Sequence, residues 1–141
     1  MVCTFFGHKV CGLEQQLLMD AIEGLITEGY TEFYVGREGE FDRMVYRSPR
    51  LLRPVYPEIY FGVVVAYPPW ERDPGINLED VMYPPIEGHP KTAIQRRNTW
   101  MIHESDACIC CIDHTWGGAY KAVMQAKRSG LRMINLGTAQ L

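Results

Sequence analysis

The chain has 141 residues, of which 47% are hydrophobic and 22% are charged, and its formal net charge is -3. This length and composition are typical of one globular domain with a substantial core. The negative charge argues against a general nucleic-acid-binding protein, because counterion release needs a basic surface. No run of residues approaches the roughly 18 apolar positions of a membrane-spanning helix, and the first residues lack the pattern of a signal peptide.

In the first half of the chain, apolar segments typical of strands alternate with segments of helical periodicity. Pro49 lies inside the second helical segment, so we expect that helix to stop or kink at Ser48. Gly29 suits the end of the first helix. In chain order, the predicted elements are a strand at residues 2–6, a helix at 13–26, a strand at 31–36, a helix at 41–55 and a strand at 59–67.

Residues 67–90 differ in character from the rest of the chain. They contain six of the nine prolines, show no clear periodicity and include Tyr67, Trp70 and Tyr83. A stretch of this length without regular structure is usually functional or disordered in a compact domain. Because aromatic residues favour order, we predict a proline-rich flap at about residues 67–90.

The remaining residues return to the alternating pattern. Thr92 and Gln95 have the capping-box spacing and predict the start of a helix. A strand is predicted at residues 106–112, a helix at 118–128 closed by Gly130, and a strand at 131–136. This alternation predicts an α/β fold: a single Rossmann-like domain over residues 1–141, with about five mostly parallel strands sandwiched by helices.

The five cysteines favour a reduced, cytoplasmic protein. Their number is odd, and Cys108, Cys110 and Cys111 share one predicted strand, where adjacent side chains point to opposite faces and pair poorly. With His114 they form C-x-C-C-x-x-H, which lacks the C-x-x-C spacing of structural zinc sites. We therefore expect no metal site and interpret these thiols as small core residues.

Four predicted turns follow strand ends, the edge at which open parallel sheets bind ligands. Glycine lets a backbone approach a phosphate, and the first amides of a helix favour an anion. Glycine also simply permits tight turns, but three glycine-containing turns at one edge predict a ligand site. Neither G-x-G-x-x-G nor G-x-x-x-x-G-K-[ST] occurs, which argues against ordinary dinucleotide or P-loop chemistry. The turns are GHK from Gly7, GREGEFD from Gly36, YPPW from Tyr67 and DHTWGGAY from Asp113.

An ordered set of motifs across the whole chain resembles the SLOG superfamily, the Rossmann-like group of DNA-processing protein A and Lonely-Guy proteins. The motifs are FFGHK, YVGREGEFDRMV, RRNTWMIHESDACICC and WGGAYKAV. They are most similar to small members of unknown function near the YpsA-like branch. The resemblance implies a pocket for a nucleotide or nucleotide-derived ligand and a homo-oligomer. We expect no required cofactor, no membrane partner and no nucleic-acid partner.

The resemblance also implies which residues bind the ligand. Glu40 departs from it, because relatives of the YpsA type have another glycine at that place. The matching residues are Gly7, His8, Gly36, Arg37, Gly39, Asp42, Arg97, Asn98, Gly117 and Gly118.

Several of these side chains, and their neighbours, have alternative roles. Arg97 suits a phosphate clamp or a surface ion pair, and Asn98 suits ligand binding or bracing of loops. Trp116 and Tyr120 suit stacking on a base or packing between subunits. Lys121 opposes the dipole of the last helix in its first turn, which fits either an anionic ligand or a solvated side chain.

Binding is favoured over catalysis. Lonely-Guy enzymes follow their paired glycines with Gly-Thr and a catalytic glutamate, whereas this chain has Tyr120 and Lys121 and then Val123 and Met124. The alternative is an enzyme that cleaves an N-glycosidic or phosphoribosyl bond, like a phosphoribohydrolase or deoxyribosyltransferase. Single-stranded DNA binding is disfavoured by the acidic balance. Candidate catalytic carboxylates are Glu38, Glu40 and Asp42, the last of which also suits helix capping or pairing with the next arginine.

Overall fold

A six-stranded, all-parallel sheet forms the centre of the protein in a computed structural model, which describes residues 1–66, 76 and 78–141. The strand order is β4-β3-β2-β1-β5-β6. Parallel neighbours need crossover connections, and helices that the sequence predicts lie in the connections from β1 to β2, β2 to β3 and β5 to β6. The strands are β1 (Val2–Gly7), β2 (Glu32–Val35), β3 (Tyr60–Val64), β4 (Val81–Met82), β5 (Ala107–Cys111) and β6 (Arg132–Asn135).

Helices cover both faces of the sheet and form a three-layer sandwich. Leu18 and Phe41 pack with Phe33 in the core on one face, whereas Met101 and Val123 pack in a second core on the other. The alternation of strand side chains supplies both cores. The helices are α1 (Gln15–Thr27), α2 (Glu40–Arg47), α3 (Pro49–Leu52), α4 (Ala93–His103) and α5 (Gly118–Arg128); α1, α2 and α3 contribute to the first core, and α4 and α5 to the second.

The predicted fold class is confirmed, with six strands rather than five. The additional strand is β4, where Val81 pairs with Val63 and Met82 pairs with Val64 of β3. It lies inside the proline-rich segment, where two residues were too few to produce a recognisable apolar alternation. The predicted flap is only partly described, since residues 67–75 and 77, with Tyr67 and Trp70, lie outside the described residues.

Local signals placed the helix ends with one exception. The break at Ser48 is confirmed, because α2 ends at Arg47 and α3 begins at Pro49. Thr92 is the N-cap of α4, as predicted, but the capping box itself is wrong, since this side chain caps no amide of the helix. A short 3-10 turn at Pro90–Thr92 precedes the helix and directs the hydroxyl back to the carbonyl of His89. Among the described residues, no helix is long and apolar enough to cross a membrane.

Candidate functional site

The order in which the chain adds strands to the sheet reverses between β1 and β5. From β1 the chain continues to β2 on one side, whereas β5 lies on the other side and continues to β6. Ligands of open α/β sheets bind at such a switch point, beyond the carboxyl ends of the strands. A cavity of about 580 Å³ lies there, lined by the loops after β1, β2 and β5 and by one face of α4.

The cavity brings together most of the residues that the sequence singled out. Glu38, a candidate carboxylate, is also part of its wall. Arg37, Tyr120 and Lys121 are not among the described residues that line it, and Lys121 is exposed; their part in binding stays a prediction. The predicted ligand-binding residues that line the cavity are Gly7, His8, Asp42, Arg97, Asn98, Trp116, Gly117 and Gly118.

Six further lining residues were missed by sequence reasoning, and two of them, Phe6 and Ala119, are immediate chain neighbours of predicted residues. Lys9 belongs to the GHK turn and His114 to the DHTWGGAY turn, both of which had already been selected, so position after a strand could have found both. Val10 and Ile94 also line the cavity with exposed apolar side chains. Isolated exposed apolar residues are common on protein surfaces, so the sequence carried no signal for these two.

Three of the predicted glycines serve close packing of the loops. A Cβ at Gly7 would stand 2.3 Å from Cγ of Phe41, and one at Gly39 would stand 2.6 Å from Cα of Lys9. A Cβ at Gly36 would stand 2.9 Å from Nη1 of Arg97. Separations of this size are not found for real Cβ atoms. Because these three positions have no side chain, α2, the loop after β1 and Arg97 can pack closely at the carboxyl ends of β1 and β2.

Gly117 and Gly118 differ from these three glycines, because a side chain at either position would point into open space. A Cβ at either position would meet no atom within 4 Å. Gly117 has a φ of 94° and is the N-cap of α5, which has neither a side-chain cap nor an acidic residue in its first turn. The first amides of this helix thus remain open beside the cavity, where partial positive charge favours an anion.

Arg97 is a buried brace at the centre of the site, with 2% of its surface exposed. Its Nη1 donates to Oε1 of Glu38 at 2.7 Å and to the carbonyl of Val64 at 3.3 Å. Its Nε and Nη2 donate to Oδ1 of Asn98 at 3.0 and 2.9 Å. Four of the five guanidinium N–H groups are thereby used. Arg97 is not a surface residue, and it has one N–H left rather than a free fork for phosphate.

Asp42 is a buried carboxyl in the cavity wall. Its Oδ2 accepts a hydrogen bond from the backbone N–H of Glu38 at 2.7 Å, while Oδ1 accepts none from the described residues. Burial raises the pKa of Asp42 to about 6, although the Glu38 amide and Arg97 act in the opposite direction. A buried carboxyl with such a raised pKa suits proton transfer near neutral pH.

Glu40 ties two loops together and is not among the residues described as lining the cavity. Its Oε2 accepts the backbone N–H of Cys11 at 2.9 Å, and its own N–H donates to the carbonyl of Lys9 at 2.9 Å. This pairing fixes the β1 loop against the start of α2.

Three aromatic rings form a column along the cavity. The His8 and His114 ring centroids are 3.6 Å apart, and those of His114 and Trp116 are 3.8 Å apart. The backbone N–H of His114 donates to Nε2 of His8 at 3.4 Å, which requires the proton of neutral His8 to be on Nδ1. Burial, and then the neighbouring His114, lower the pKa of His8. The column therefore begins with a neutral imidazole and ends at a largely exposed indole.

No protein-family model matches this chain, and a search of curated proteins finds no significant match. The fold and the site define a Rossmann-like α/β protein with a cavity at its β1/β5 switch point.

Proposed function

We propose that the protein binds or senses a nucleotide or a nucleotide-derived small ligand in the cavity at the carboxyl ends of β1 and β5. One observation carries the proposal: the uncapped N-terminus of α5, at Gly117 and Gly118, opens beside a cavity at the switch point of the sheet. Such a helix start, with unobstructed backbone amides, suits a phosphate.

The charges around the cavity favour a single phosphate group. Arg97 is neutralised by its ion pair with Glu38, so it adds little net positive charge. Lys9, whose side chain is exposed at the rim, and the dipole of α5 remain to attract an anion. Asp42 adds negative charge once it ionises. A nucleoside monophosphate fits this balance better than a di- or triphosphate.

The aromatic column suits the base of such a ligand. Trp116 has 67% of its surface exposed while one face is covered by His114, and Val10 and Ile94 supply further apolar surface at the rim. A purine or pyrimidine ring stacked on the indole would cover this apolar surface. Deeper in the cavity, Oδ1 of Asp42 is available to accept from a ribose hydroxyl.

The motifs that resemble the SLOG superfamily agree with this assignment, since three of their loops and one face of α4 meet at the cavity. Binding is favoured over turnover because α5 has Val123 and Met124 where Lonely-Guy enzymes have their catalytic glutamate. Homo-oligomerisation, implied by the same resemblance, belongs to this proposal as well.

Isothermal titration with the four common ribonucleoside monophosphates, their nucleosides and inorganic phosphate tests the proposal. At least one monophosphate should bind more tightly than its nucleoside, and Gly118→Ala should weaken it at least about 10-fold by placing a methyl group beside the open amides. Gly24→Ala is the matched control, because Gly24 also has no atom within 4 Å of a Cβ but lies in α1. If no nucleotide or nucleoside binds, and native mass spectrometry finds no co-purified small molecule, the proposal is overturned.

A second candidate function is cleavage of an N-glycosidic bond. The observation that favours it is the buried Asp42 carboxyl in the cavity wall, whose Oδ1 accepts no hydrogen bond from the described residues. Ionised Asp42 would take a proton from the water that attacks C1′; the C1′–N bond would break, the departing base would take a proton from solvent, and Asp42 would return its proton to solvent. Chromatography of nucleotides incubated with the protein should then show free base, which Asp42→Asn should abolish while binding persists.

A further inference from the structure

Two cysteine thiols meet beside the cavity. Sγ of Cys11 and Sγ of Cys111 are 3.1 Å apart, and the side chains are 3% and 2% exposed. A disulfide has an S–S distance of about 2.05 Å, so about 1 Å of movement separates the pair from that bond. Cys111 is the last residue of β5 and pairs in register with Gly7, while Cys11 follows in the loop after β1.

The remaining cysteines lie elsewhere. Cys108 and Cys110 belong to the core on the opposite face of the sheet, because side chains alternate along β5. Cys3 pairs in register with Ala107, at the other end of the same strand. Cys108 and Cys110 share a side-chain hydrogen bond with each other across the sheet from Cys11 and Cys111, so the two cysteine contacts are separate.

We propose that Cys11 and Cys111 are an oxidisable dithiol site, which a peroxide converts into a disulfide between the β1 loop and β5. One thiolate attacks a peroxide oxygen, the O–O bond breaks, and a sulfenic acid and hydroxide form. The second thiol attacks the sulfenic sulfur, forms the S–S bond and releases water. Overall, hydrogen peroxide accepts two electrons, one from each sulfur, and the two thiol protons leave in two water molecules.

The loop offers a route for so small an oxidant. Lys9, Val10 and Gly12, which flank Cys11, are exposed, so Cys11 lies directly beneath a surface segment. Because burial raises the pKa of Cys111, the reaction should accelerate as the pH rises. A disulfide here would join the loop that carries His8 to the strand end that precedes His114. The inference depends only on the sulfur geometry and holds whether or not the cavity binds a nucleotide.

Hydrogen peroxide added to the reduced native protein, followed by intact and peptide mass spectrometry, tests the site. We expect a mass lower by two hydrogen atoms, a cross-linked peptide pair containing Cys11 and Cys111, and reversal by dithiothreitol. The oxidised form should also unfold at higher urea concentration, because the bond restricts the unfolded chain.

Variants sharpen this test. Cys11→Ala and Cys111→Ala should each lose the two-hydrogen mass change, whereas Cys3→Ala, a change at another fully buried cysteine, should keep it. The peptide map of the unmodified sequence decides the question even where a variant does not fold. A linkage through Cys108 or Cys110, oxygen adducts without a cross-link, or five persistent free thiols would overturn the proposal.

Discussion

The backbone of Gly36 lies directly against the guanidinium of Arg97, so that a Cβ at Gly36 would stand 2.9 Å from Nη1 and 3.0 Å from Cζ. The Arg97 side chain cannot move away easily, because it donates hydrogen bonds to Glu38, Asn98 and the Val64 carbonyl at the same time. A glycine selected from the sequence as a ligand contact thus has a structural role. Because Gly36 has no side chain, the charged guanidinium of Arg97 in α4 can lie buried beneath the loop after β2.

Gly36→Ala should therefore lower the free energy of unfolding by about 1–3 kcal/mol, the usual cost of overpacking. Gly12→Ala is the control, since a Cβ there would meet nothing within 4 Å; it should change stability by less than about 0.5 kcal/mol. Urea unfolding of both variants makes the comparison. Equal stability of Gly36→Ala and the parent protein would contradict the contact.

Replacing Arg97 with methionine should cost about 2–3 kcal/mol, because it removes a buried partner from Glu38 and Asn98. Glu38 is partly exposed, which keeps the cost toward the lower end of the range for buried pairs. In the double variant Arg97→Met/Glu38→Gln the loss should be smaller than the sum of the single losses. Additive losses in a double-mutant cycle would show that the ion pair contributes nothing.

Asp42 should make the protein less stable as the pH rises. Its folded pKa is about 6, above the usual 3.8, so the folded state binds the proton more tightly than the unfolded chain does. The resulting stability is present below about pH 4 and is lost as the pH rises through 6, by roughly 3 kcal/mol in all. Asp42→Asn does not titrate, so its stability relative to the parent should increase between pH 4 and 6 and then level off.

Urea unfolding at half-unit pH steps measures this difference. Asp20→Asn, at an exposed aspartate of α1, is the matched control for loss of one carboxylate. A stability difference for Asp42→Asn that stays constant from pH 4 to 7 would contradict the raised pKa.

Trp116 should contribute to ligand affinity without contributing to the fold. Its side chain is largely exposed and stacks only on His114 among the described rings, so Trp116→Leu should leave the urea midpoint nearly unchanged. Loss of base stacking, about 1–3 kcal/mol in single-strand systems, corresponds to weakening a bound nucleotide by about 5-fold or more. Tyr83→Leu, at another exposed aromatic residue outside the cavity lining, should not affect binding. Titration of both variants compares them.

Much of the fold was accessible from local patterns. The helix break at Ser48, the span of α5 and the alternation of strands and helices followed from proline, glycine and apolar periodicity, which act over a few residues. The two-residue strand β4 was not accessible, because its structure depends on pairing with β3 rather than on its own composition.

Sequence alone also determined that glycines and polar residues gather at the carboxyl ends of the strands. It could not distinguish their roles, because packed and open glycines have the same local signature. Only the tertiary structure decided that Gly7, Gly36 and Gly39 allow close packing whereas Gly117 and Gly118 face open space. It likewise decided that Arg97 meets Glu38 across 59 positions of chain. Such contacts depend on how elements distant in sequence pack around one sheet, and no local pattern encodes that arrangement.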